Sequence, residues 1–209
     1  MRPASTVILA RAGEPLEVFM LRRSARSAFA PNVYVFPGGT VDERDRATSD
    51  GVDRELLRRM FRMETPPPPA LQASLVAAAR RELHEEAGVL LDASWPLELF
   101  SHWITPLSIA PRYDVYFFVT RIPEGQEAVA DANETHDGIW IAPRDALARD
   151  EASGFSIIYP TRKHLERLAR FRNADEMLAA ARSKPIRTVL AHGSEREGFA
   201  LPAGLEDAW

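Results

Sequence analysis

The stretch Ala77-Ala78-Ala79-Arg80-Arg81-Glu82-Leu83-His84-Glu85-Glu86-Ala87-Gly88-Val89 predicts the end of a helix that carries a cluster of acids. Apolar residues recur through it and upstream of it at helical spacing, and on a helical wheel they share one arc about 160° wide. These residues are Leu71, Leu75, Val76, Ala79, Leu83 and Ala87. We therefore expect a helix that lies on a core and stops at Gly88 in the left-handed conformation.

The acids Glu82, Glu85 and Glu86 stand at helical positions i, i+3 and i+4. Glu86 falls near the middle of the apolar arc, where a carboxylate is costly to bury unless something neutralises it, and like charges at this spacing repel. A solvated acidic face is one interpretation. We favour a divalent-cation site, and because the chain offers hard oxygen ligands and no Cys, we expect Mg²⁺ or Mn²⁺ rather than zinc.

The composition suits one well-cored domain, because the chain has 209 residues of which 45% are hydrophobic. We expect a main domain over residues 1–183 and a C-terminal extension over 184–209. With no Cys there is no disulfide framework, and the apolar run 7–10 is too short for a signal peptide or a membrane span, so we expect a cytoplasmic protein. The net charge of −4 argues against a nucleic-acid partner. The oligomeric state is left open.

Strand-like and helical segments alternate irregularly, which points to an α+β fold or an α/β/α sandwich. Residues 6–10 and 17–21 are expected to form an edge hairpin, with further strands over 33–36, 97–104, 112–120 and 139–141, and helices over 143–148, 161–171 and 174–182. Residues 40–69 read as a helical insertion that ends in four prolines, with Ser49 or Asp50 as the predicted N-cap. Its amphipathic stretch is either a lid or part of the packed core.

Gly38-Gly39 and the nine residues from Arg81 to Val89 together resemble the Nudix hydrolase box, whose second half is Arg-Glu-apolar-x-Glu-Glu-x-Gly-apolar and matches at every position. The first half departs from the pattern. A long segment separates the glycines from the helix, and Ala73 occupies the helical position where one more Glu usually falls. This split is similar to the coenzyme A and acyl-coenzyme A diphosphatases. The resemblance implies a Nudix-type α/β/α sandwich with a mixed sheet and a helical insertion.

The resemblance also implies roles for the acids. Glu82 is the acid expected to act as the general base or to orient the attacking water, although the sequence cannot tell which of the three Glu is the base and which are metal ligands. Arg81 lies at i, i+4 from Glu85 and is expected to brace it, or to reach a substrate phosphate. The predicted catalytic residues are Glu82, Glu85 and Arg81, and the predicted metal ligands are the Gly38 carbonyl, Glu82, Glu85, Glu86 and Glu134, with Asp137 as second choice to Glu134.

For the substrate, the segment with Arg23-Ser24 ahead of Phe36-Pro37-Gly38-Gly39 is similar to the signature of coenzyme A-cleaving members. Arg23, Ser24 and Arg26 are candidates for binding the phosphates of coenzyme A, and Arg112 is the next candidate after them, although surface arginines are common. Gly39 lets the backbone approach the ligand. Trp103 is a candidate for stacking on an adenine or a pantetheine arm.

The implied reaction is Mg²⁺- or Mn²⁺-dependent hydrolysis of a small-molecule diphosphate, with coenzyme A or acyl-coenzyme A giving 4′-phosphopantetheine (or its acyl form) and adenosine 3′,5′-bisphosphate. One alternative keeps the chemistry and changes the substrate to ADP-ribose or a dinucleotide. An alternative of a different class is a Nudix-fold nucleotide-binding regulatory module that has lost turnover, motivated by Ala73 and the split box.

Overall fold

The computed structural model describes residues 1–25, 31–47, 54–131, 135–152, 155–194 and 198–205. The strands are β1 (Arg2–Arg11), β2 (Glu17–Arg23), β3 (Tyr34–Val35), β4 (Gly38–Thr40), β5 (Glu98–Ile104), β6 (Tyr113–Arg121), β7 (Thr135–Ile141), β8 (Thr188–Leu190), β9 (His192–Ser194) and β10 (Gly198–Ala200). The helices are α1 (Glu43–Ala47), α2 (Arg54–Met60), α3 (Pro69–Ala87), α4 (Pro143–Glu151), α5 (Tyr159–Leu168) and α6 (Ala174–Ser183).

Eight strands form one mixed sheet in which β1 occupies the centre. The path runs β3-β2-β1-β6-β5-β8, with β4 also paired to β1 and β7 to β2. β1 pairs in parallel with β6 from Arg2↔Tyr113 to Ala10↔Arg121, whereas β2 and β4 pair with β1 in antiparallel fashion. β1 and β2 form the predicted antiparallel hairpin, but the expectation that it lies at the edge of the sheet is wrong, because β1 also pairs with β6 and β4. Residues 7–10 are fully buried because both faces of β1 are covered, as the unbroken apolar run requires.

Helices cover both faces of the sheet. On one face, Val7 and Leu9 of β1 belong to a buried cluster with α2 and α3. On the other, Ile8 and Ala10 belong to a cluster with α4, α5 and α6. This alternation follows from the two-residue period of a strand. The prediction of an α+β sandwich with a mixed sheet is confirmed.

Helix α3 has the boundaries that its sequence signals predict. It follows the proline run, with Pro at its first positions, and its buried face includes Leu75, Val76, Ala79 and Leu83. Gly88 caps it with φ 67° and donates its backbone N–H to the His84 carbonyl. The fold thus presents the last two turns of this helix, which carry the acids, at a fixed point beside the sheet.

The described part of the insertion packs onto the core rather than standing away from it. Leu57, Met60 and Phe61 are buried in the cluster beneath α3. At its end, Arg62 donates to the Ala181 carbonyl at 2.5 Å in the last turn of α6. The predicted N-cap residues Ser49 and Asp50 lie outside the described residues.

The C-terminal extension contributes to the main sheet. β8 pairs in parallel with β5 through His102↔Thr188 to Ile104↔Leu190, and β9 and β10 form a separate two-stranded sheet. No helix among the described residues is long and apolar enough to cross a membrane.

Candidate active site

Two glycines bring strand β4 into close contact with both β1 and α3. A Cβ on Gly38 would lie 2.4 Å from the Ser5 carbonyl oxygen, and a Cβ on Gly39 would lie 2.2 Å from Oε1 of Glu82. Neither position can hold a side chain without something moving. The Pro-Gly-Gly turn is therefore the surface against which the Glu82 carboxylate rests.

Glu86 is buried, and its carboxylate accepts a hydrogen bond from a backbone amide. Its side chain accepts a hydrogen bond from the Gly38 N–H at 2.8 Å, and the residue is 9% exposed. The burial predicted from the helical wheel is thus observed. The described contact involves the amide of Gly38, whereas the proposed metal contact of its carbonyl stays a prediction.

Arg81 connects the acids of α3 to the start of the insertion. It donates to Glu82 Oε1 at 2.8 Å, to Glu85 Oε2 at 2.9 Å and to the Thr40 carbonyl at 3.1 Å. Its Nε and Nη2 also donate to the two oxygens of Asp45, each at 2.8 Å. These bonds, with that to Asp45 foremost, raise the pKa of Arg81 above its already high ordinary value. The expected brace on Glu85 is present, and it extends to Glu82.

Asp45 is one of the residues near the acids that the sequence analysis did not predict. It is 2% exposed and lies on α1, six positions after Gly39 and ahead of the rest of the insertion. Ala73, the helical position at which the sequence lacks an additional Glu, is buried in the apolar cluster beneath α3.

The environment of Glu82 raises the proton affinity of its carboxylate. Burial raises the pKa of this carboxyl, and the neighbouring Arg81 opposes part of that effect. A carboxylate with a raised pKa, held by one guanidinium and set against a glycine, is well suited to accept a proton from water.

The acids line an open cavity of about 740 Å³. Its lining also includes Arg44, which donates from Nη1 to Glu85 Oε1 at 2.9 Å. Five carboxylates face two guanidiniums there, so the walls carry an excess of negative charge. The described lining residues are Thr40, Asp42, Arg44, Arg81, Glu82, Glu85, Glu86 and Asp131.

The donor set of this cavity suits a hard divalent cation, because it is built from carboxylate oxygens with no sulfur or imidazole in the described lining. The side chains are not converged as ligands, however. Among the described residues, no group of three or more His, Asp or Glu stands in a geometry ready for a metal. Arg81 and Arg44 instead pair with Glu82 and Glu85, and the Gly38 N–H donates to Glu86.

The remaining predicted residues are not brought to this cavity by any described contact. Arg112 donates to the Thr105 carbonyl at 3.1 Å, and Trp103 is 3% exposed within the cluster on the opposite face of the sheet. Asp137 faces Arg22 at 3.8 Å. Their predicted roles stay predictions.

Arg23 and Ser24 end β2, and the Arg23 N–H donates to the Val33 carbonyl on the segment that leads to β3. Arg26 and Glu134 lie outside the described residues. Asp131, three positions before Glu134, donates its N–H to the Glu86 carbonyl at 3.1 Å and lines the cavity. Sequence reasoning missed Asp131, and no local pattern distinguishes it from other loop acids.

The central mixed sheet between two helical layers is shared with a solved Nudix hydrolase, so the chain has the Nudix fold. Residues 72–160 match the NUDIX domain family. The crystal structure of a NUDIX hydrolase from Alicyclobacillus acidocaldarius superposes with a TM-score of 0.69 at 22% identity, over 86% of this chain and 96% of that one.

Two curated relatives align over most of this chain. "Putative nudix hydrolase 7" of Caenorhabditis elegans is 23% identical over 83% of this chain, which spans only 62% of that protein. The "acyl-coenzyme A diphosphatase NUDT19" of Gallus gallus is 24% identical over 84% of this chain and 70% of its own length. The NUDIX domain of Shewanella oneidensis NrtR, solved with ADP ribose, superposes with a TM-score of 0.53 at 16% identity over 81% and 86% of the two chains. These matches support the prediction of a Nudix diphosphatase.

Proposed function

We propose that this protein hydrolyses the diphosphate linkage of a nucleoside diphosphate derivative with the help of a divalent cation. The observation that carries the proposal is that Glu82, Glu85 and Glu86 line one cavity, where Arg81 holds Glu82 and Glu85 and the Gly38 N–H holds Glu86. Phosphoryl chemistry needs charge neutralisation and a positioned water more than it needs a covalent nucleophile. Clustered carboxylates that hold a cation meet both needs.

Each acid has a distinct place in this scheme. Glu82 accepts the proton of the attacking water, since burial raises its pKa and Arg81 with Gly39 fixes its carboxylate. Glu85 and Glu86 would hold the cation, with Glu134 and the Gly38 carbonyl as further ligands. When bound, the cation would neutralise the diphosphate and make water more acidic. Water adds to one phosphorus atom, the bridging P–O bond breaks, and two phosphomonoesters leave.

We propose coenzyme A or an acyl-coenzyme A as the substrate. The likeness of Arg23-Ser24 and Phe36-Pro37-Gly38-Gly39 to coenzyme A-cleaving members supports this, as does the alignment with the Gallus gallus acyl-coenzyme A diphosphatase. In the fold, Arg23 pairs through its backbone with the segment that runs into β3 and on to Gly38. The two parts of the signature are therefore neighbours in space.

The test is product chromatography after incubation with coenzyme A, ADP-ribose or a diadenosine polyphosphate, each with Mg²⁺ or Mn²⁺. Release of adenosine 3′,5′-bisphosphate and 4′-phosphopantetheine from coenzyme A is the expected result. If coenzyme A stays intact while ADP-ribose is cleaved, the substrate assignment is wrong and the chemistry stands. Hydrolysis in ¹⁸O-water then identifies which phosphorus water attacks.

A binding module without turnover is the second candidate, and one observation favours it. Glu82 and Glu85 are paired with the protein's own arginines, so the presence of these two acids does not in itself require a cation. The NrtR domain solved with ADP ribose gives a precedent for nucleotide binding by this fold. Binding of ADP-ribose or coenzyme A without any product, in the presence of either metal, would decide for this candidate.

A further inference from the structure

Both carboxylate oxygens of Glu85 face a guanidinium. Arg44 Nη1 lies 2.9 Å from Oε1, and Arg81 Nη1 lies 2.9 Å from Oε2. A hard divalent cation binds carboxylates through these same oxygen atoms. Any cation that enters the cavity and takes Glu85 must therefore compete with an arginine.

The two arginines differ in how firmly they are held. Arg81 is largely buried and tied to both oxygens of Asp45 and to the Thr40 carbonyl. The Arg44 side chain is 62% exposed, and its ion-pair partners Asp42 and Glu85 are themselves partly exposed. Exposed ion pairs of this kind contribute little to stability. Arg44 is therefore the less firmly held of the two arginines.

We propose that Arg44 exchanges partners during the reaction: it neutralises Glu85 before a divalent cation binds, and it moves to the diphosphate of the substrate once the cation has taken Glu85. This inference rests on the proposed function. Its physical basis is that Arg44 lines the cavity and that a guanidinium binds phosphate oxygens in the same fork geometry as a carboxylate. The insertion would then supply a substrate-binding residue as well as core packing.

The proposal predicts opposite effects of one substitution on two affinities. In Arg44→Gln, removal of the competing charge should tighten Mn²⁺ binding by roughly 2- to 5-fold in calorimetric titration without substrate. Loss of the phosphate contact should raise KM for the hydrolysed diphosphate by roughly 10-fold. Arg44→Lys keeps the charge and should leave Mn²⁺ affinity within about twofold of the wild type.

Arg58→Gln is the matched control, because Arg58 is an exposed arginine of the same insertion, pairs with Glu55 and does not line the cavity. It should change neither affinity. Three results for Arg44→Gln would overturn the partner exchange: unchanged Mn²⁺ affinity, weaker binding of both Mn²⁺ and substrate, or tighter Mn²⁺ binding with an unchanged KM. Hydrolysis by the wild-type protein would still uphold the proposed function in each case. A wild-type protein that neither binds Mn²⁺ nor hydrolyses a diphosphate would overturn both.

Discussion

Asp45 and Arg81, which are 36 positions apart in the chain, form an ion pair through two parallel hydrogen bonds of 2.8 Å each. The pair joins α1, at the start of the insertion, to the acidic end of α3. Because Arg81 also holds Glu82 and Glu85, the pair sets the position of the candidate base through one intermediate side chain.

We expect Asp45→Asn to lower the free energy of unfolding by about 2–4 kcal/mol, because it removes one partner from a buried charge pair. Turnover should fall as well, since Arg81 loses the contact that orients it toward Glu82. Urea unfolding followed by far-UV circular dichroism measures the first effect. Glu55→Gln serves as the control, because it breaks an exposed ion pair of the same insertion and should cost less than about 1 kcal/mol. Equal losses in the two variants would contradict the assignment.

Gly39→Ala and Gly38→Ala should separate activity from stability. The new Cβ at position 39 meets the movable end of the Glu82 side chain, so stability should change by less than about 1 kcal/mol while kcat/KM falls by roughly 10²-fold. At position 38 it meets the Ser5 backbone, so about 1–3 kcal/mol of stability should be lost. Thermal unfolding and steady-state kinetics on the same samples test the contrast. A catalytically normal Gly39→Ala would exclude the proposed role of Glu82.

Glu86→Gln should lower turnover by roughly 10²-fold or more through the loss of a charge that a cation would need. Its stability should stay near that of the wild type, because the amide oxygen of Gln can still accept the Gly38 N–H. Glu85→Gln should show a similar loss of turnover. Kinetics with Mn²⁺, together with calorimetric metal binding, test both variants, and wild-type rates in both would refute the metal assignment.

His164 should make the fold sensitive to acid. It is fully buried, its Nδ1–H donates to the Pro160 carbonyl, its Nε2 accepts from Ser101, and burial lowers its pKa to about 3. An unfolded His binds a proton near pH 6.5, so the stabilisation is complete above pH 6.5 and is lost as pH falls from 6.5 toward 3. The loss should approach about 1.4 kcal/mol per pH unit.

In His164→Gln this part of the pH dependence should vanish. The measurement compares unfolding free energies at pH 7, 6 and 5 in the two proteins, because the slope is informative even where the variant is less stable throughout. Parallel slopes would mean that His164 is protonated in the folded state.

The helix that carries the acids could be predicted from sequence because its signals are local. Its apolar period, the proline start and the Gly88 stop all act within α3. The central place of β1 was missed, since its parallel partner β6 lies more than a hundred residues away and no local pattern specifies that pairing. The unbroken apolar run of β1 was the available signal.

Asp45 was missed for a related reason. The helical pattern places the additional acid eight residues before Arg81, at Ala73, whereas the fold brings Asp45 to Arg81 from the start of the insertion. The residues that pair with the acids could not be predicted from the sequence either, because the ion pair between Arg44 and Glu85 depends on where α1 packs against α3.

The Asp45–Arg81 side-chain contact joins the start of the insertion to the acidic end of α3. The length of chain between these two segments is therefore not what holds the acids in place. The connection between Ala47 and Arg54 joins two segments that are each anchored independently, one through Asp45 and the other through the buried Leu57 and Met60. The position of the acids should therefore follow from these two anchored segments themselves and not from the amount of chain that joins them.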